Sequence, residues 1–270
     1  MTAPSSGGQE RRAAEGVAAG SSNPGREADD PLLEDIRRQP VPRHVAVIMD
    51  GNGRWAAARS LPRVAGHREG VRAARETVRA AGRAGIAYLT LYAFSSENWA
   101  RPAAEVEFLM RLLESSVDEE LPGLIENNVR LRVIGDTAPL SEGVRRSIDR
   151  AALATAASTG LTLLIALNYG GRLELVRAVR AVAARVARGE LAPQAIEEAD
   201  IASELDTADV PDPDLLIRTS GEYRVSNFLL WQIAYTELLI LPTLWPDFSP
   251  RDLYLAVADY QRRVRRFGGL

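Results

Sequence analysis

The run His44-Val45-Ala46-Val47-Ile48-Met49 is apolar and β-prone, with no room for polar alternation. Such a run suits a strand buried on both faces, the situation of a parallel sheet covered by helices on either side. Leu161 to Leu167 is a second continuous apolar run of the same kind. Shorter stretches at Ile86–Phe94, Val129–Ile134, Pro213–Ile217 and Glu237–Leu241 also read as strands.

Helical patterns alternate with these strands. From about Gly66 to Gly82 or Gly85, Val71, Ala74, Val78 and Ala81 recur at spacings of three and four. Ala103 to Leu121 carries Val106, Leu109, Met110, Leu113 and Val117 on one face and acids on the other, a pattern that fits core packing or one wall of a long apolar tunnel. Leu140–Ser158, the Ala/Val/Arg segment up to about Arg188, Phe228–Tyr235 and the segment from Ser249 or Pro250 to Arg265 also read as helices, with one or two short helices between Leu191 and Asp206. Strand–helix alternation of this kind predicts an α/β fold: a single domain with a mostly parallel, about six-stranded central sheet flanked by helices. Residues 1–34 are expected to form a disordered tail, poor in large apolar side chains apart from a short helix over Pro31–Arg38, and residues 35–270 the domain.

Composition removes several classes of function. The chain has no cysteine, which excludes thiol catalysis, disulfides and zinc–thiolate sites. Two histidines, His44 and His67, are too few for a His-rich metal centre. A net charge of −3 gives no basis for general nucleic-acid binding. No apolar run approaches the ~18 residues of a membrane span, and no signal-peptide core opens the chain, so a cytoplasmic location with at most peripheral membrane contact is expected.

The chemistry concentrates where strands end. After the first run the chain turns through Asp50-Gly51-Asn52-Gly53-Arg54-Trp55 into an Ala-rich helical segment. A carboxylate at the carboxyl end of a central strand sits where open α/β sheets bind ligands. Glycines allow backbone N–H groups to approach an anion, the helix start adds partial positive charge, and Arg54 supplies a forked donor. Asp50 beside such an anion can hold Mg²⁺ against a phosphate. The stretch therefore reads as a Mg²⁺-diphosphate site, although a plain strand followed by a glycine turn would look similar. It is neither a dinucleotide fingerprint nor a P-loop. Arg63 and His67 lie at the entrance of the next helix. Ser95-Ser96-Glu97-Asn98-Trp99-Ala100-Arg101 ends the second strand, and Arg218-Thr219-Ser220-Gly221-Glu222-Tyr223-Arg224-Val225-Ser226-Asn227 ends a later one. Two arginines and several hydroxyls on that last loop fit a second anion site.

Taken together and in this order, these motifs resemble the cis-prenyltransferase family, nearest to its bacterial undecaprenyl diphosphate synthases. Gly66-His67, Leu167-Asn168-Tyr169-Gly170-Gly171-Arg172, Trp245-Pro246 and Arg266-Phe267-Gly268 add to the match, which spans about residues 35 to 270. Tyr223 stands where many relatives carry His. The resemblance implies a homodimeric, Mg²⁺-dependent enzyme that condenses isopentenyl diphosphate repeatedly onto an allylic diphosphate, farnesyl diphosphate first, with cis double bonds. A long-chain polyprenyl diphosphate, precursor of the cell-wall lipid carrier, would result.

By the same resemblance, Asp50 is the essential acid and a Mg²⁺ ligand, with Glu237 as the second Mg²⁺-linked carboxylate. Gly51, Asn52, Gly53, Arg54, Arg63 and His67 form the allylic diphosphate site, and Trp55 and Trp99 flank the substrates. Ser95, Ser96, Glu97 and Arg101 belong to the substrate-binding loop. Arg218, Arg224, Val225 and Ser226 form the isopentenyl diphosphate site. Asn98 matches a position proposed to take the substrate proton, but a neutral amide is a very weak base, which favours an orienting role. Two other readings remain. A non-catalytic partner subunit would lack the intact Asp50–Arg54 stretch, and a short-chain synthase would share the chemistry with a blocked tunnel.

Overall fold

The computed structural model describes Asp30 to Val264, so residues 1–29 of the expected tail and the Arg266-Phe267-Gly268 ending lie outside the described residues, whereas residues 31–34 of that tail belong to a helix. The elements are α1 (Pro31–Arg37), β1 (His44–Ile48), α2 (Asn52–Ala58), α3 (Arg63–Ala84), β2 (Tyr88–Ser95), α4 (Ala103–Glu126), β3 (Arg130–Ile134), α5 (Glu142–Ala154), β4 (Thr162–Tyr169), α6 (Gly171–Ala187), α7 (Glu198–Ala202), β5 (Leu215–Arg218), β6 (Glu237–Ile240) and α8 (Pro250–Arg262). All belong to the unit that begins at Pro31.

The six strands form one sheet in the order β3-β4-β2-β1-β5-β6, and every neighbouring pair is parallel. The unbroken apolar runs are explained directly. All five residues of β1 are buried. Val45 and Val47 pack into one core with α1, α3 and α8, while Ala46 and Ile48 pack into a second core with Tyr92, Tyr169 and Phe228. A strand with a core on each face has no position for a polar side chain. His44, at its start, is buried with both ring nitrogens engaged, Nδ1 at 2.6 Å from the Pro211 carbonyl and Nε2 at 2.7 Å from Thr90 Oγ1.

The strand order places β2 on one side of β1 and β5 on the other. The chain first winds outward from β1 through β2, then returns across it to β5. The carboxyl ends of β1 and β5 therefore flank the crevice where doubly wound sheets hold ligands.

Two helix expectations differ from the structure. Phe228–Tyr235 forms a series of turns, because Ser226, Asn227 and Leu229 take φ of 48°, 61° and 47°, incompatible with a right-handed helix. Conversely, α4 does not stop at Leu121 but runs through Pro122 to Glu126. Of its apolar stripe only Val106 is buried, because the other side chains face a cavity rather than a filled core.

Candidate active site

Asp50 leaves β1 at the centre of the sheet. Gly51 adopts φ 109°, and a Cβ there would fall 2.9 Å from Leu244 Cδ2, so only glycine fits the turn. The first turns of α3 press on the same loop: a Cβ on Gly66 would lie 2.0 Å from the Asn52 carbonyl oxygen. Thr219 Oγ1 accepts from the Asp50 N–H at 2.9 Å and donates to the Asp50 carbonyl at 2.7 Å. The Trp245 N–H donates to the same carbonyl at 3.0 Å. The Asp50 carboxylate is thus fixed from its backbone outward while remaining partly open to solvent. Burial would raise its pKa, but hydrogen bonds from Arg218 and Ser220 and the charges of Arg218 and Arg54 outweigh that and hold it below the usual carboxylate range.

The loop after β5 supplies the facing cations. Arg218 is buried; its Nη2 donates to Asp50 Oδ2 at 2.8 Å and its Nη1 to Ser226 Oγ at 2.8 Å and to the Arg224 carbonyl. Arg54 reaches across from α2, donating to the Ser220 carbonyl at 3.2 Å and lying 3.1 Å from Glu222. Arg54 therefore joins the β5 loop as well as the Asp50 turn. Arg224 is exposed and pairs with Glu222 at 2.5 Å. Val225 packs against the second core and anchors the loop between these polar residues. Trp55 donates through Nε1 to Asp247 Oδ1 at 2.6 Å and carries Arg59 over its ring at 4.2 Å. Gly53 backs onto the Arg63 side chain: a Cβ there would lie 3.1 Å from Arg63 Nε.

A second cationic group lies at the start of α3. Arg63, His67 and Arg101 surround Glu105, at 3.3, 3.5 and 3.0 Å respectively. Burial lowers the His67 pKa, and the charge of Arg101 lowers it further, so the imidazole is neutral at pH 7. Glu105 was not legible as a site residue. In sequence it is simply an acid in the first turn of a helix, where a carboxylate is favoured anyway.

The loop after β2 is a short 3₁₀ turn, Ser96–Ala100. Asn98 Oδ1 accepts from the Ser95 N–H at 3.1 Å, which commits that oxygen to closing the turn. Trp99 donates to Asn168 Oδ1 at 2.8 Å and packs edge-on against Phe94. Ser96 donates to one Glu97 carboxylate oxygen at 3.2 Å, and the other accepts from Asn227 Nδ2 at 2.7 Å. Asn227 is in turn bonded through Oδ1 to the Arg172 N–H at 2.9 Å. The β2 loop, the β5 loop and the start of α6 are thereby tied together.

Beside these loops opens a cavity of about 480 Å³, within the ordinary range for ligand sites. Its mouth includes Asn52 and His67, its walls Val71, Ala74 and Val78 of α3 and Leu109, Leu113 and Val117 of α4, and its base strands β2, β3 and β4. Ala93 and Leu161 both line it.

Glu237 stands apart from Asp50 within one chain. It opens β6 in register with Leu215, whereas Ile240 is level with Arg218 and, through Arg218, with Ile48. Three strand steps plus the two residues from Ile48 to Asp50 separate the two residues by about 16–17 Å along the strand direction at ~3.3 Å per residue. Glu237 pairs instead with Arg263 at 2.9 Å, at the amino end of the sheet. Within one chain it cannot share an ion with Asp50. Among the described residues no three His, Cys, Asp or Glu side chains gather as a metal cage. A single carboxylate among guanidinium groups is nevertheless a donor set that could hold Mg²⁺ where phosphates supply the remaining oxygens.

The family described as putative undecaprenyl diphosphate synthase matches residues 48–268. The chain belongs to that family. It is an isoprenyl transferase enzyme by the same likeness: it is 57% identical over 229 residues to the isoprenyl transferase of Brucella abortus, covering 85% of this chain and 90% of that one. The Geobacillus kaustophilus isoprenyl transferase is 52% identical over 246 residues, covering 91% and 96%. Among solved structures, lavandulyl diphosphate synthase from Lavandula x intermedia in complex with dimethylallyl diphosphate superposes with a TM-score of 0.83 at 39% identity, over 85% of this chain and 99% of that one. A probable undecaprenyl diphosphate synthase from Campylobacter jejuni gives 0.71 at 34% identity, over 85% and 100%. The resemblance and the mostly parallel, about six-stranded sheet expected from sequence are both borne out. No helix among the described residues is long and apolar enough to cross a membrane.

Proposed function

We propose that this transferase condenses isopentenyl diphosphate repeatedly, in cis, onto an allylic diphosphate, farnesyl diphosphate first, and so makes a long-chain polyprenyl diphosphate. The product serves as precursor of the cell-wall lipid carrier, and the enzyme works in the cytoplasm as a homodimer. One observation carries the reading: two cation groups flank Asp50 at the carboxyl end of the sheet, and one of them opens into a long apolar cavity.

Two diphosphates repel each other, and holding both near one carbon–carbon bond requires separate cationic cradles in fixed orientation. Arg218, Arg224 and Ser226 form the cradle for isopentenyl diphosphate. Arg63, His67 and Arg101, with the Asp50–Arg54 turn, form that for the allylic diphosphate. In each cycle the allylic C–O bond breaks as the new C–C bond forms, diphosphate leaves, and a proton is lost from the isopentenyl unit. The growing negative charge on the departing diphosphate is met by preoriented guanidinium donors. Asp50 holds Mg²⁺, which neutralises diphosphate charge when bound. Asn98 orients the loop, and a diphosphate oxygen is the better proton acceptor. Apolar side chains along the whole length of α3 and α4 support a long product over a short one.

The test is incubation of the purified protein with labelled isopentenyl diphosphate and farnesyl diphosphate, with Mg²⁺ or with chelator. The reading expects Mg²⁺-dependent products many isoprene units long. Absence of any elongated product, or a single C15 product from a shorter primer, would replace it with a different transferase.

A further inference from the structure

The Asn168-Tyr169-Gly170-Gly171-Arg172 turn between β4 and α6 carries none of the residues assigned to either cradle, yet both substrate loops are seated on it. From the β2 loop, Trp99 donates to Asn168 Oδ1 at 2.8 Å, and the Asn168 amide donates in turn to the Asp136 carbonyl at 2.8 Å. From the β5 loop, Asn227 accepts from the first two N–H groups of α6: from Gly171 through its carbonyl at 2.7 Å and from Arg172 through Oδ1 at 2.9 Å. Its Nδ2 then donates to Glu97 Oε1 of the β2 loop at 2.7 Å. The two ends of this amide cannot be exchanged, because a backbone N–H needs an oxygen and an ionised carboxylate needs a donor. Burial would raise the Glu97 pKa, but the Asn227 amide and nearby donors hold it below the usual carboxylate range.

The packing around that amide is close. A Cβ on Gly170 would lie 2.6 Å from Ser96 Oγ and 2.8 Å from Asn227 Nδ2, one side-chain tip from each loop. A Cβ on Gly171 would lie 2.9 Å from Leu230 Cγ. Tyr92 stacks on Phe228 at 4.3 Å and brings its hydroxyl to 3.1 Å from the Tyr169 carbonyl oxygen and 3.4 Å from that of Ser226. Asn227 takes φ 61°, a left-handed conformation that Asn tolerates better than most residues. Its neighbour Ser226, at φ 48°, is the residue whose hydroxyl accepts from Arg218.

We propose that Asn227 is a positioning residue that sets the spacing of the two substrate loops, by clamping Glu97 of the β2 loop and its own β5 loop to the double-glycine turn. The inference rests on the polyprenyl synthase reading, in which the β5 loop holds isopentenyl diphosphate and the β2 loop lies beside the allylic substrate. Condensation needs the two reacting carbons about 3–3.5 Å apart, and a displacement of ~1 Å can cost about 10²-fold in rate. Such a displacement leaves each diphosphate its own cradle. The clamp therefore acts on the geometry between the substrates and not on the affinity for either.

The experiment is a double-mutant cycle on the purified enzyme. Asn227→Asp keeps an oxygen for the Arg172 N–H, at a helix start that favours a carboxylate, but sets two like charges against each other at Glu97. The rate of the first condensation is measured at saturating labelled isopentenyl diphosphate and farnesyl diphosphate, each substrate is titrated separately, and thermal melts follow the fold. Asn227→Asp should lower the rate at least about tenfold, with a melting temperature near the parent's and each separate affinity within about threefold. In a Glu97→Gln background, whose amide can donate to the new carboxylate, the same change should cost less than about threefold. Gly170→Ala, which wedges a methyl group between the tips of Ser96 and Asn227, should slow the same step while both affinities hold. Equal losses in the two Glu97 backgrounds, a loss confined to one affinity, or parental rates in folded Asn227→Asp and Gly170→Ala would each overturn the clamp. A parent that makes no condensation product would overturn the synthase reading itself, whereas an active parent with any of those variant results overturns the clamp alone.

Discussion

Arg218 and Asp50, 168 residues apart in the chain, meet at 2.8 Å on neighbouring strand ends. The guanidinium is almost fully buried and spends its other amino group on Ser226, so the pair joins the Asp50 turn to the β5 loop. Asp50 is thereby both a candidate metal ligand and the counter-ion of a buried cation.

That double role separates two substitutions. Asp50→Asn keeps an acceptor for Arg218 but loses the charge that holds Mg²⁺. It should lower turnover at least ~10²-fold, the scale for one strong electrostatic contributor, with a near-parental melting temperature. Asp50→Ala should lose similar activity and also stability, because the buried guanidinium is left without its counter-ion. Steady-state rates at saturating Mg²⁺ together with thermal melts check both. Near-normal turnover in Asp50→Asn would remove the residue from the chemistry.

Arg224 tests which loop serves which substrate. It is exposed and, among the described residues, pairs with Glu222 on its own loop, so its loss should not unfold the protein. Arg224→Ala should weaken isopentenyl diphosphate binding about fivefold, equivalent to ~1 kcal/mol for a solvent-screened charged contact, with little change for farnesyl diphosphate. Direct titration of each ligand reads this out, and the opposite selectivity would mean that the two cradles are exchanged.

The fold was legible because a strand with a core on each face can carry no polar alternation: two such unbroken runs, together with four shorter β-prone stretches, are separated by helical patterns. The site was legible only as far as its residues cluster in sequence. Asp50–Trp55, Ser95–Arg101 and Arg218–Asn227 are contiguous loops, and parallel strands bring their carboxyl ends together. Glu105 escaped notice, and Thr219 and Trp245 were seen only as members of motifs, because they act through contacts between distant elements. The distance of Glu237 from Asp50 within one chain was also not legible, because a residue's place along a strand depends on register: four residues of β6 separate the two ends of the sheet. The turns at Phe228–Tyr235 were hidden by apolar residues whose left-handed backbone, at Leu229 for instance, composition does not announce.

His44 predicts a pH dependence of folding. Burial lowers its pKa from 6.5 to about 4, against the raising effects of the Pro211 carbonyl and Asp214. Between those values the unfolded chain binds a proton that the folded chain does not, so stability rises with pH across that window and falls on acidification. The loss on going from above pH 6.5 down to about 4 is about 3 kcal/mol for this group. Urea titrations at several pH values should show that slope, and His44→Gln should flatten it. An equal slope in the variant would assign the acid sensitivity to other groups.

Gly66 tests whether α3 seats the Asp50 turn. Its added Cβ would lie 2.0 Å from the Asn52 carbonyl oxygen, a backbone atom that cannot swing aside. Gly66→Ala should cost about 1–3 kcal/mol as an overpacked contact and shift the turn enough to lower activity disproportionately. An unaltered melting temperature and turnover would show that the helix and turn can separate without consequence.

Product length should respond to the strand side of the cavity wall. Ala93 lies on β2 with its side chain open to the cavity, and Leu161, just before β4, is buried at the cavity's far part. A close-packed wall cannot admit another isoprene unit without strain, so Ala93→Leu should shorten the products. Leu161→Ala removes bulk and should lengthen or broaden them. It should also destabilise the protein by about 2–5 kcal/mol, the usual result of truncating a buried leucine, so melting must be followed alongside chromatography. Neither side chain is placed among the diphosphate-binding cations, so farnesyl diphosphate affinity should hold in both. Folded, active Ala93→Leu and Leu161→Ala enzymes with parental length distributions would take β2 and the start of β4 out of the path of the chain. The apolar faces of α3 and α4 would then remain as its only guides.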